Sequence, residues 1–152
     1  MSGGDSFWLP LGGGGSGAVD GTALTNDQAA VKDVYEQWGT ETLTFSGLTG
    51  TPASIDASLI GNIECTVANR RVGWCRVQVS LDGGTSWSSG NVPVVELNSS
   101  SNIYRSLVGS SAVVAGTPTG SVIVRAQLQQ SALGTAGDLK FNNGYLTARV
   151  FA

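Results

Sequence analysis

The chain contains no histidine. That removes triads built on histidine, the commonest general base near neutral pH and the commonest metal ligand. Charge is scarce too: Asp, Glu, Lys and Arg make up 12% of the residues, about half of an ordinary globular share. Eight basic and eleven acidic side chains give a net charge of −3. Non-specific nucleic-acid binding needs clustered Lys and Arg, so no nucleic-acid partner is expected. No apolar run approaches the roughly 18 residues of a membrane-spanning helix, so no membrane partner is expected. The start of the chain has neither the basic segment nor the apolar core of a secretory signal, and Phe7-Trp8-Leu9-Pro10-Leu11 is too short to serve as one. Chemistry is thin in the same way. Ser110 and Ser111 have no evident activating base, and the carboxylates of Asp56, Glu64, Asp82 and Glu96 are scattered rather than paired. The glycine run 12–17 lacks the lysine and the strand-to-helix context of a phosphate loop. No enzyme, cofactor or metal site is expected.

What the chain does have is glycine, 22 residues of it, with abundant Ser and Thr and a frequent two-residue alternation. The clearest stretch is 60–89. Ile63, Cys65 and Val67 alternate with polar or small residues, and Cys75, Val77, Val79 and Leu81 alternate with Arg76, Gln78 and Ser80. This is the pattern of half-buried strands. The link 69–73 is short enough for a hairpin, and Asp82-Gly83-Gly84 is a strong turn signal. Across such a hairpin Cys65 faces Cys75, either as two buried thiols or as a disulfide. Two thiolates without histidine make a poor metal site.

Further strands are expected over 42–46, 54–60, 92–97, 103–108, 112–115, 121–130 and 145–152, with loops at 98–102 and 131–143. That spacing predicts an all-β chain, an antiparallel β-sandwich of Ig-like or jelly-roll type. Residues 1–24 read as an extended glycine-rich N-terminal arm, because 12–17 has linker composition. Phe7, Trp8 and Leu11 are its candidate anchors, either on neighbouring subunits or folded back on their own domain. In 25–40, Val31, Val34, Tyr35 and Trp38 fall at helical spacing, with Thr25 and Gln28 as a capping pair, so a short helix or connector is expected. The alternative is one strand over 34–45, broken at Gly39. The sandwich then spans 41–152.

Ser80-Leu81-Asp82-Gly83-Gly84-Thr85-Ser86-Trp87 resembles the Asp-box, a hairpin motif of sialidase-like propellers. The resemblance implies turn-building roles for Asp82, Gly83, Gly84 and Trp87 and carries no chemistry. From residue 60 onward the order of elements, with GWCRVQVS running into DGG, then SVIVRAQLQQ and GYLTARVF, is similar to the Ig-like and fibronectin-type sandwiches of tailed-bacteriophage particles. This resemblance covers roughly 41–152. It implies a non-enzymatic virion structural protein of head, neck or tail, located in the virion after synthesis in the host cytoplasm. It also implies a homo-oligomer whose partners are other virion proteins and copies of itself. Assembly would use Phe7, Trp8, Leu11, Val31, Tyr35 and Trp38. The alternative is a carbohydrate- or receptor-binding module, with Trp74, Tyr104 or loop residues 131–144 as candidate contacts to a host-surface glycan.

Overall fold

The computed structural model describes residues 7–11, 15–65, 67, 69–99, 104–132 and 134–152. Among them are eleven strands and no helix. The strands are β1 (Phe7–Leu11), β2 (Gly15–Ala23), β3 (Gln28–Ala29), β4 (Glu36–Phe45), β5 (Ala53–Cys65), β6 (Asn69–Ser80), β7 (Ser88–Ser89), β8 (Val94–Ser99), β9 (Tyr104–Gly116), β10 (Val122–Gln130) and β11 (Leu139–Phe151). They form two antiparallel sheets. The first runs β1-β2-β11-β5-β9, with β3 also on β11. The second runs β4-β10-β6-β7, with β8 also on β6.

Eight long strands carry the winding. Four of them, β2, β11, β5 and β9, lie side by side in one sheet, and β4, β10, β6 and β8 in the other. This is the order of a jelly roll, an eight-stranded sandwich wound from two Greek keys. In an Ig sandwich the first two strands pair within one sheet. Here β2 and β4 lie in opposite sheets, so the jelly-roll alternative fits and the Ig-like one does not.

Alternation explains the core. The odd-numbered residues of β5 from Ala53 to Cys65 face inward and are buried, as are Val122, Val124, Ala126 and Leu128 of β10 and Leu146, Ala148 and Val150 of β11. Trp38 lies at the centre, fully buried, 5.3 Å from Phe141 in an edge-to-face pair. Its indole N–H donates to the carbonyl of Thr25 at 2.8 Å. Gly61 and Gly144 are small because of this ring. A Cβ would come within 2.5 Å of it from Gly61 and within 2.6 Å from Gly144.

Three expectations are corrected. The helix over 25–38 does not form. Asp27 and Asp33 adopt φ of 54° each, outside the helical region. The backbone there is spent on the sheets instead: Ala30 N–H donates to Leu139 O, Gln130 N–H to Val31 O, and Asp33 N–H to Gln130 O. A helix of this length is marginal by itself, and tertiary pairing wins. The strand alternative is nearer, since β4 runs through Gly39 at φ 72°.

The extended arm is likewise not seen. β1 and β2 pair antiparallel from Phe7–Val19 to Leu11–Gly15, and β2 lies along β11 from Gly17–Phe151 to Ala23–Tyr145. Its described parts, 7–11 and 15–23, are folded back as sheet, and residues 1–6 and 12–14 lie outside the described residues.

The hairpin between β5 and β6 is the third correction. Those strands lie in opposite sheets, so Cys65 is opposite Leu139 and Cys75 opposite Leu128. Both cysteines are buried free thiols, with no disulfide between them. Burial pushes the Cys75 thiol up to about 12. Several expected strands are also longer than alternation alone suggested: 54–60 continues through Cys65, the two pieces in 103–115 are one β9, and β11 begins at Leu139 within the expected loop 131–143.

Candidate functional site: one sheet face and its cleft

The turn after β6 is centred on Asp82. Asp82 Oδ1 accepts the Ser86 N–H at 2.8 Å and the Ser80 hydroxyl at 2.7 Å, and its Oδ2 accepts the Ser86 hydroxyl at 2.5 Å. Those bonds, led by Ser86, hold the Asp82 carboxyl down to about 2. Gly83 and Gly84 take φ of 71° and 94°, a region other residues enter at a cost. Trp87 closes the turn by donating Nε1–H to Gly84 O at 3.1 Å. The Arg125 guanidinium lies 3.7 Å over its ring.

This turn borders the outer face of the second sheet, which is tied together across its strands. Trp74 Nε1–H donates to Gln129, Arg76 Nε–H to Gln127, and Arg125 Nε–H to Gln78, at 3.2, 2.8 and 2.9 Å. Tyr35 covers Arg76, 3.6 Å from the ring centroid. Trp74 is thus half-buried in a ladder of its own sheet. Tyr104 begins β9 at the other sheet's edge.

The outer face of the first sheet differs. It exposes Leu107 at 80%, Val113 at 75% and Ile60 at 65%, and it also leaves Tyr145 and Phe151 partly open. These residues alternate with the buried ones on β9, β5 and β11, so they share a face. They stand among polar residues of the same face: Asp56 is opposite Val113 and Arg149, and Asn62 is opposite Leu107.

β9 is also an edge strand. β5 pairs with one side of it, from Ala53–Gly116 to Cys65–Tyr104. On the other side Asn91 clips Ser111: its N–H donates to Ser111 O at 3.0 Å, and its Oδ1 accepts the Ser111 N–H at 2.6 Å. Ser110 staples the sheets beside this clip, accepting the Val77 N–H at 3.0 Å and donating to Asn91 O at 2.6 Å. Val113 and Ala115, in phase with Ser111, turn their N–H and C=O to the open side.

At the far end of the same face lies a cleft of about 450 Å³. One wall is Asn26 and Asp27, and the other is Asn142 and Asn143. Asn62, Glu64 and Arg105 complete it. A β-bulge shapes it, because β11 places two residues, Asn143 and Gly144, between Asn142 and Tyr145 where β5 places one, Gly61, between Asn62 and Ile60. Asn143 takes φ of 51° there, which Asn tolerates better than most residues. The walls clasp each other: Asp27 N–H donates to Asn142 Oδ1 at 2.7 Å, and Asn143 N–H donates to Asn26 Oδ1 at 2.8 Å. Arg105 Nε–H donates to Glu64 Oε2 at 2.6 Å. Trp38 lies beneath, against Gly61 and Gly144.

The structure therefore distributes the expected anchors rather than gathering them. Trp38 is core, Tyr35 stacks on Arg76, Val31 and Val34 are exposed, and Phe7, Trp8 and Leu11 stand on the edge strand β1. The sequence points to only one wall of the cleft, Asn142 and Asn143 within the candidate loop 131–144; its other residues come from three separated stretches. Among the described residues no group of three or more His, Cys, Asp or Glu could hold a metal ion.

No family model matches the sequence, and no curated protein matches it. Among solved structures the chain is similar to that of infectious bursal disease virus, Gx strain, at 13% identity and a TM-score of 0.45, covering 89% of this chain and 36% of that one. It is similar to the VP2 subviral particle of the same virus at 15% identity and a TM-score of 0.44, covering 89% and 33%. The chain thus spans about a third of the length of those proteins. Scores and identities this low establish neither a shared fold nor a shared function.

Proposed function

We propose that this chain is a non-enzymatic structural subunit of a virus particle, assembling with copies of itself through the open β9 edge and the Val113 end of its first sheet. The jelly-roll winding supports the particle, since viral capsid domains use it widely. The observation that carries the assembly route is β9. It is 13 residues long, free on one side apart from the Asn91 clip among the described residues, and it carries Val113 exposed at 75%. An open apolar edge is a pairing template that proteins otherwise block or use. The hairpin β1–β2 is tied into its own sheet, so its free edge, with Phe7, Trp8 and Leu11, serves as a second contact rather than as a tether. Val31 and Val34 form a third.

Sedimentation velocity of the purified chain tests this reading. The parent chain is expected to form discrete species well above its 15.5 kDa mass. Val113→Glu, a surface change, is expected to sediment as a folded monomer. A parent chain that stays monomeric at high concentration, or a Val113→Glu variant that assembles unchanged, overturns the reading.

A further inference from the structure

The cleft at the far end of the sheet plays no part in that assembly. It lies six residues along β5 from the strand position opposite Val113, about 20 Å away. Its polar groups can be counted by what they offer. Asn26 and Asn142 each spend Oδ1 on a backbone N–H of the opposite wall, which leaves their NH₂ groups as donors. Asp27 is an acceptor, and Asn62 brings a donor and an acceptor together. Glu64 and Arg105 neutralise each other.

A metal cation would meet several amide N–H donors. An oxyanion would meet Asp27 and Glu64. Hydroxyl groups both donate and accept, so interleaved donors and acceptors of low net charge match them. Beside the cleft, Asn62 is opposite Leu107 on one side and Asn142 on the other, and the next pair along is Ile60 with Tyr145. All three apolar side chains are exposed on the cleft's own face. A ligand with hydroxyls at its rim and an apolar C–H face fits both parts.

We propose that this cleft binds a sugar residue of a neutral glycan, with Asp27, Asn62 and the amides of Asn26 and Asn142 holding its hydroxyls and Ile60 and Tyr145 meeting its C–H face. Two variants spare the backbone. Asp27→Asn keeps a residue that tolerates positive φ and removes the charged acceptor, and Asn62→Ala trims a strand side chain.

The test is biolayer interferometry of the purified chain on sensors carrying polyacrylamide-linked glucose, galactose, mannose or N-acetylglucosamine. At least one sensor is expected to bind saturably, with competition by the free methyl glycoside. Both variants are expected to lose affinity at least tenfold while melting like the parent. The inference is overturned if none of the four sensors binds, if both variants bind like the parent, or if the free glycoside fails to compete. Assembly is read separately by sedimentation, so either proposal can fail alone.

Discussion

The hydrogen bonds of the turn favour the charged form of Asp82 and lower its carboxyl pKa. Its folded carboxyl is held near 2 against an ordinary 3.8. Between those values the unfolded chain binds more protons than the folded one, so stability rises with pH. The contribution is whole above about pH 4 and is lost as the pH falls through 2. Urea midpoints measured from pH 5 to pH 2 should fall more steeply for the parent than for Asp82→Asn, and parallel curves would count against the turn network. Trp38 makes a larger demand. Its truncation to alanine empties the core beneath Gly61 and Gly144 and should cost about 3–5 kcal/mol of unfolding free energy. A loss under 1 kcal/mol by chemical denaturation would show that the ring is dispensable. The cysteines give a third check, because both are free and buried. Neither should react with a thiol reagent at pH 8 in the native state, and both should react in denaturant without reductant. Two unreactive cysteines in denaturant would mean that a disulfide had formed.

Among the elements, β2 decides what the N-terminal segment is. It forms seven cross-strand pairs with β11, and Ala18 and Leu24 contribute to the core. Deleting residues 1–24 should therefore abolish cooperative thermal unfolding, whereas deleting 1–11 removes only the outermost strand and should leave a folded domain. A cooperative transition in the longer deletion would restore the picture of a detachable arm. The sequence made β6, β10 and the end of β11 legible, because their alternation records burial on one face. It hid β2, where Gly15, Gly17 and Gly21 leave little alternation to read. The helical stripe misled for a specific reason. Trp38 and Tyr35 both need cover, but they find it on opposite faces of the second sheet, Trp38 inside against Phe141 and Tyr35 outside on Arg76. The link 69–73 misled as well, since a short connection between alternating strands looks the same whether the chain turns back within a sheet or crosses to the other.

For the whole molecule, polar satisfaction separates the two outer faces. The second sheet laces much of its surface with Arg, Gln and aromatic ladders and leaves Val94 exposed, while the first leaves Leu107, Val113, Ile60 and the β9 edge open. That contrast was not legible in the sequence, because Val113 and Ile60 read as ordinary strand residues until pairing assigned them a side. The rest of the cleft was hidden likewise, since only the β11 bulge brings Asn142 and Asn143 to Asn26 and Asp27. Hydrogen–deuterium exchange, comparing the assembled parent chain with the Val113→Glu monomer, tests the central claim most directly. Protection gained on assembly should concentrate in the amides of Val113 and Ala115 on the open side of β9. Protection that appears elsewhere while those amides exchange as fast as in the monomer would contradict it.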